Sequence, residues 1–257
     1  TRWTGRALRQ LRCCATSDMA GLYRRRLTAV PPRPTPADVL ATLLRSDPGR
    51  PRLTCYDDAT GERIELSAKT LANWVAKAAN LLTEDADAGP GTRVGLDLPG
   101  HWRAAYWAWA TWSVGATLVT GPGAAQAEIV VTDSADRAAA TTAAGRYAVL
   151  VTLAALARSH PAAPAGAVDE AKDLAAYGDR FDPWQRPGPA DPALDADGEH
   201  TAYGLIVPDP HWPTGTRVLV TGDLTAMLGA LMHAWAVDGS VVLVRNALGD
   251  QAARLAA

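Results

Sequence analysis

Cysteine is scarce in this 257-residue chain: Cys13 and Cys14 are adjacent and Cys55 stands alone. That spacing builds neither a disulfide framework nor a zinc site, so a reducing cytoplasm is the expected compartment. No apolar run of signal-peptide type follows the early arginines. Leu22, Leu27 and Val30 are separated by polar residues, and Pro31 and Pro32 come next, so secretion is not expected. The stretch from Trp102 to Val119 approaches membrane-spanning length, but Gly115 divides it into a helix and a strand, which excludes a transmembrane reading. The five histidines show no pairing at i, i+4, and Gly-x-Ser-x-Gly is missing; metal and hydrolase chemistry therefore lack support. Lysine occurs only at positions 69, 77 and 172, beside plentiful arginine and alanine. This reads as a coding bias and implies no activity.

What the chain does contain is a segregated charge and enough apolar residues, 48%, to bury a substantial core. Seven arginines (2, 6, 9, 12, 24, 25 and 26) against Asp18 give the first 26 residues +6, and the remainder holds −8. An acidic body argues against nucleic acid as a partner of the folded part, because phosphate contacts need clustered Lys and Arg. Residues 1–34 are set apart as a basic arm. Arg2, Arg6 and Arg9 at helical spacing make it a candidate polyanion- or membrane-surface helix, or else a non-native extension.

Hydrophobic spacing predicts a helix over 37–45, a hairpin of 53–57 and 62–66 turning at Gly61, and a long helix capped by Ser67. Strands at 94–98, 116–119, 128–132 and 147–151 alternate with helices at 101–113, after Asp133, and at 153–158. This alternation predicts an α/β fold of layered lobes with mainly parallel sheets. The first lobe is expected over 35–160 and the second over 201–257. Between them, 161–200 reads as a Pro/Asp-rich connection with one short helix around 169–176. The second lobe should hold strands 203–207, 218–220 and 240–244, a helix 224–237, and the start of a helix at Asp250.

The run GERIELSAKTLANWVAKAANLL, then GPGTRVGLDLPGHW, then WSVGATLV resembles the opening of an AMP-binding, adenylate-forming enzyme of the acyl-CoA-synthetase type. A weaker likeness extends through GALMHAWAVDGSVVLVRN. The resemblance implies the N-terminal region of such synthetases, with ATP or AMP and magnesium as cofactors. In that family a Ser/Thr/Gly-rich loop ending in Pro-Lys follows the strand corresponding to 203–207 and wraps the ATP phosphates with closely spaced amides. Here that place holds Pro208 to Thr216. Pro208, Pro210 and Pro213 remove three amide donors and Asp209 adds negative charge. Thr214, Gly215 and Thr216 are the candidate remnant. The family's magnesium-binding acid, its ribose-binding aspartate and its C-terminal domain with a catalytic lysine have no counterpart in these residues, so no catalytic residue is assigned.

Thr221, Gly222 and Asp223, between a strand and a helix at the carboxyl edge of the sheet, are the candidate ligand-binding residues. Asp223 also suits an N-cap. The aromatic set Trp102, Tyr106, Trp107, Trp109 and Trp112 is read as core. Gly121 to Gln126 is read as a loop and no dinucleotide fingerprint. Asp195-Ala196-Asp197-Gly198 fails as a calcium loop, because Ala193 and Gly204 would fall on its end ligand positions. The expected function is an acyl-CoA-synthetase-like protein without adenylation activity of its own, binding a small carboxylate or nucleotide or a protein partner. The alternatives are a ligase completed by a separate C-terminal catalytic part, and a structural interaction protein.

Overall fold

Residues 33–249 are described by the computed structural model; the basic arm up to residue 32 and the helix expected from Asp250 lie outside them. Helix α1 (Pro36–Ser46) opens with Thr35 and Asp38 in a reciprocal capping box, has proline in its first turn, and buries Val39, Leu40 and Leu43. Strands β1 (Pro51–Asp57) and β2 (Glu62–Ser67) form the expected hairpin. In α2 (Ala68–Glu84), Ser67 accepts a hydrogen bond from the Thr70 amide, and Leu71, Val75, Ala78 and Leu82 face inward.

After β3 (Arg93–Asp97) comes α3 (Trp102–Ser113), in which only Ser113 escapes full burial. A helix without a polar face belongs inside a protein. It touches β3 and β4 of one sheet, β1 of the other, and α2. Two of its four indoles are tied down by hydrogen bonds: Trp109 donates to the Pro36 carbonyl (3.1 Å) and Trp112 to the Ala193 carbonyl (2.8 Å). Each fully buried aromatic contributes about 1.5–3 kcal/mol, so the tryptophan helix is the core around which the layers close.

The chain continues through β4 (Thr117–Thr120), β5 (Ile129–Thr132), α4 (Ala135–Ala143), β6 (Tyr147–Leu150) and β7 (Val168–Asp169). Next are the single-turn α5 (Glu170–Asp173), β8 (Pro192–Ala196), β9 (Glu199–Ala202) and the short α6 (Tyr203–Ile206). Finally β10 (Arg217–Thr221), α7 (Leu224–Ala236) and β11 (Ser240–Arg245) complete the described chain. Two sheets result, in the orders β10-β11-β1-β2 and β7-β6-β5-β3-β4-β8-β9, parallel except at the β1–β2 and β8–β9 pairs. Among the described residues no helix is long and apolar enough to cross a membrane.

The structure departs from the sequence reading at four places. The segment 203–207 is helical at Tyr203–Ile206 instead of a strand, and 153–158 forms turns instead of a helix. Residues 161–200 hold three strands besides the short helix. The hairpin β1–β2 joins β11 and β10 through the register Leu53 opposite Val241, so it shares a sheet with the last strands and not with β3–β6.

Candidate functional site

Four parallel strands, β3 and β4 from one sheet and β10 and β11 from the other, end at a common cleft of about 820 Å³. Ligands of open α/β sheets sit beyond such carboxyl ends. Three of these strands hand over to a turn containing glycine: Leu98-Pro99-Gly100 after β3, Gly121-Pro122 after β4, and Thr221-Gly222-Asp223 after β10. Two glycines permit the closeness. A Cβ on Gly100 would stand 2.7 Å from the Gly222 carbonyl oxygen of the other sheet. One on Gly121, whose φ is +69°, would stand 1.9 Å from Asp197 Oδ1. Asp197 comes from the two-residue turn between β8 and β9, where Asp197 and Gly198 both have positive φ (55° and 86°) and Ala196 pairs with Glu199. A tight hairpin needs that pair of left-handed residues.

The cleft lining carries three carboxylates, Asp97, Asp197 and Asp223, and two guanidiniums, Arg137 and Arg245. Both guanidiniums are already engaged. Arg137 meets Asp97 at 2.6 Å, and Thr132 donates to the same carboxylate at 2.8 Å. Beneath the floor, Asp57 accepts from Arg245 and from Asn246, each at 2.8 Å. Burial would raise the Asp57 pKa, but these bonds and the Ala59 amide outweigh it and keep the carboxyl below the usual range. Burial pushes Asp133 upward, with Asp97 adding to it.

Behind the floor, His101 caps α3 by accepting the Arg103 amide at Nδ1 (3.2 Å). Burial, with Arg245 and Arg103 nearby, pushes its pKa down to about 3; the ring is neutral at physiological pH. Burial likewise drives the Cys55 thiol up to about 12. Neither group can serve as proton donor or thiolate nucleophile near neutrality.

A second cavity of about 350 Å³ runs along α7. Thr225, Leu228, Gly229, Met232 and His233 form one face of that helix, with Leu194 and Thr201 of the β8–β9 hairpin also lining the space. Thr225 lines the cleft as well, so one residue at the start of α7 borders both spaces.

Of the sequence-predicted residues, Thr221, Gly222 and Asp223 all line the cleft, and Asp223 is also the N-cap of α7, accepting the Ala226 amide at 2.9 Å. Thr214, Gly215 and Thr216 do not line it. They precede β10, at the end away from Thr221, where Gly215 N–H donates to the Val237 carbonyl and Thr216 accepts from the Ser240 amide. Their assignment hung on a strand at 203–207, which is a helix. The strand that leads into a tight turn beside the cleft is β8. Asp97, Asp197, Arg137 and Arg245 escaped the sequence reading. Asp-Gly flanked by extended residues, a hairpin signal, marks Asp197; nothing local marks the others, because separate elements bring them together. The Gly121–Gln126 segment is a 3-10 turn at the cleft edge.

No protein-family profile matches the chain. A Mycobacterium tuberculosis protein, named only for a numbered family, is 42% identical over 155 residues, covering 59% of this chain and 63% of its own length. The fold is like that of the N-terminal domain of AMP-binding synthetases. Acetoacetyl-CoA synthetase from Streptomyces lividans superposes with a TM-score of 0.68 at 18% identity, over 86% of this chain and 40% of that enzyme. A fatty acyl-CoA synthetase of Mycobacterium tuberculosis gives 0.59 at 15% over 86% and 47%. An anthranilate-CoA ligase bound to anthranoyl-AMP gives 0.62 at 13% over 83% and 44%. The chain thus spans less than two thirds of each of these relatives.

Proposed function

We propose that this chain is an AMP-binding, acyl-CoA-synthetase-like protein that binds a small ligand across cleft and slot and forms no acyl-adenylate by itself. The polar end of the ligand, a carboxylate or nucleoside monophosphate, lies in the cleft at the start of α7. The apolar remainder follows the slot.

The observation that carries this reading is the turn between β8 and β9. The resembling enzymes wrap phosphates in a long loop of amide donors; the turn beside this cleft has two residues, and Asp197 rests its carboxylate against Gly121. A triphosphate does not fit this lining. It would meet three carboxylates and two arginines already paired, and each like-charge approach to about 4 Å costs about 4 kcal/mol near a protein surface. Without phosphate cradling and a cation for pyrophosphate departure, carboxylate activation has no electrostatic support. The chain spans 40–47% of these synthetases, and the second reading is a ligase active only with a separate C-terminal catalytic part.

Differential scanning fluorimetry with AMP, ATP-magnesium, CoA and a set of carboxylic acids tests the proposal, because a ligand preferring the folded state raises the melting temperature. A rise with an acid or AMP and none with ATP-magnesium is expected. Acyl-AMP formation by the purified chain would overturn it, and acyl-AMP formation only after adding a synthetase C-terminal half would establish the second reading.

A further inference from the structure

We infer that His233 sets the specificity of the slot, selecting a ligand whose apolar tail ends in an uncharged hydrogen-bonding group such as a hydroxyl or ketone. This rests on reading cleft and slot as one ligand site. Thr225 and His233 stand eight residues apart on α7, so the slot runs about 12 Å from the cleft to the imidazole at 1.5 Å per residue. Midway lies Gly229, where an added Cβ would meet nothing within 4 Å. A glycine inside a helix weakens it relative to alanine. No protein atom uses the space this one leaves, and that space is part of the slot.

His233 is also the lone titratable residue of the lining, which otherwise holds aliphatic, hydroxyl, thioether and tryptophan side chains. Its ring is packed edge-on by His211 at 4.9 Å and lies 5.2 Å from Trp212. Among the described residues no hydrogen bond engages its nitrogens, although the side chain is half-buried. Burial and then His211 lower its pKa, so the neutral ring offers one donor and one acceptor. An ammonium tail would be left in an apolar channel without a countercharge. A plain alkyl tail would leave the imidazole unpaired, and a hydroxyl would pair it.

The test is isothermal titration calorimetry of the full chain with octanoic acid and its ω-hydroxy and ω-amino derivatives, using the wild type, His233→Ala and Gly229→Leu. The ω-hydroxy acid should bind about five-fold tighter than octanoic acid to the wild type, as one net hydrogen bond gives, and the ω-amino acid weakest. His233→Ala should abolish the preference while keeping octanoic acid binding. Gly229→Leu should bind none of them and melt no lower than the wild type. If octanoic acid binds and Gly229→Leu blocks it, but the hydroxy preference is missing or survives His233→Ala, the inference about His233 fails and the slot stands. If no acid binds the wild type, or Gly229→Leu binds unchanged, the underlying reading of the slot fails with it.

Discussion

His101 is held inside the protein as a neutral ring, and the consequence is a pH dependence of stability. The unfolded chain takes up a proton near the ordinary value of 6.5, whereas the folded chain refuses it until about pH 3. Stability is therefore complete above pH 6.5 and falls as the pH drops through the window from 6.5 to 3, by up to about 1.4 kcal/mol per pH unit. His101→Asn keeps an oxygen to cap α3 and removes the titration. Urea melts between pH 7 and 4 should show a shallower loss for the variant; parallel curves would refute the assignment. Asp223 admits a similar separation of roles. Asp223→Ala should cost about 1 kcal/mol through the lost cap of α7, and Asp223→Asn only a few tenths, as measured by thermal melts. A ligand affinity that falls with the asparagine as well would show that the carboxylate serves the cleft and not the helix alone.

At the scale of elements, the segment 161–200 is pinned. Arg103 of α3 and Glu170 of α5 form an ion pair of 2.9 Å with side chains 5% and 1% exposed, and Tyr106 donates to the same carboxylate. Lys77 and Asn80 of α2 reach the Ala175 and Gly178 carbonyls at 2.9 Å. Glu170→Ala strands a buried guanidinium and should cost about 3–5 kcal/mol, whereas the pair Arg103→Met with Glu170→Leu should recover most of it; chemical denaturation of the two variants decides. Sequence periodicity exposed the elements whose apolar residues repeat: Val39, Leu40 and Leu43 on α1, Leu71, Val75 and Ala78 on α2, and the alternating β3. It failed at β8 and β9, where Pro192 and a run of aspartates mask two short strands. It failed again at Tyr203–Ile206, since four apolar residues fit a strand as well as one helical turn. The segment 153–158 was too short to pay for helix nucleation. Thr221 to Asp223 could be found because a strand end followed by small residues is a local signal; Asp97, Arg137 and Arg245 reach the cleft through tertiary packing.

For the molecule as a whole, the fully buried α3 and the two sheets against it predict that the described body unfolds in one step. Trp109 of α3 packs on Trp235 of α7 with ring centroids 4.4 Å apart, and the Trp235 indole donates to the Arg52 carbonyl in β1 at 3.0 Å. Hydrogen exchange should then give the central amides of β1, β3 and β11 one common opening free energy, with the edge strand β9 lower. A markedly lower value for β1 than for β3 would show that the two sheets open separately.

The pairing of β1 with β11 also sets a schedule for folding. Asp57 and Arg245, joined across that ladder, are 188 residues apart. At about 5–20 residues per second, a ribosome makes β11 roughly 10–40 s after β1. Throughout that delay the nascent hairpin offers one bare, apolar strand edge for which no other segment yet exists, so this sheet must close last, and any chaperone dependence during synthesis should centre on residues 51–57.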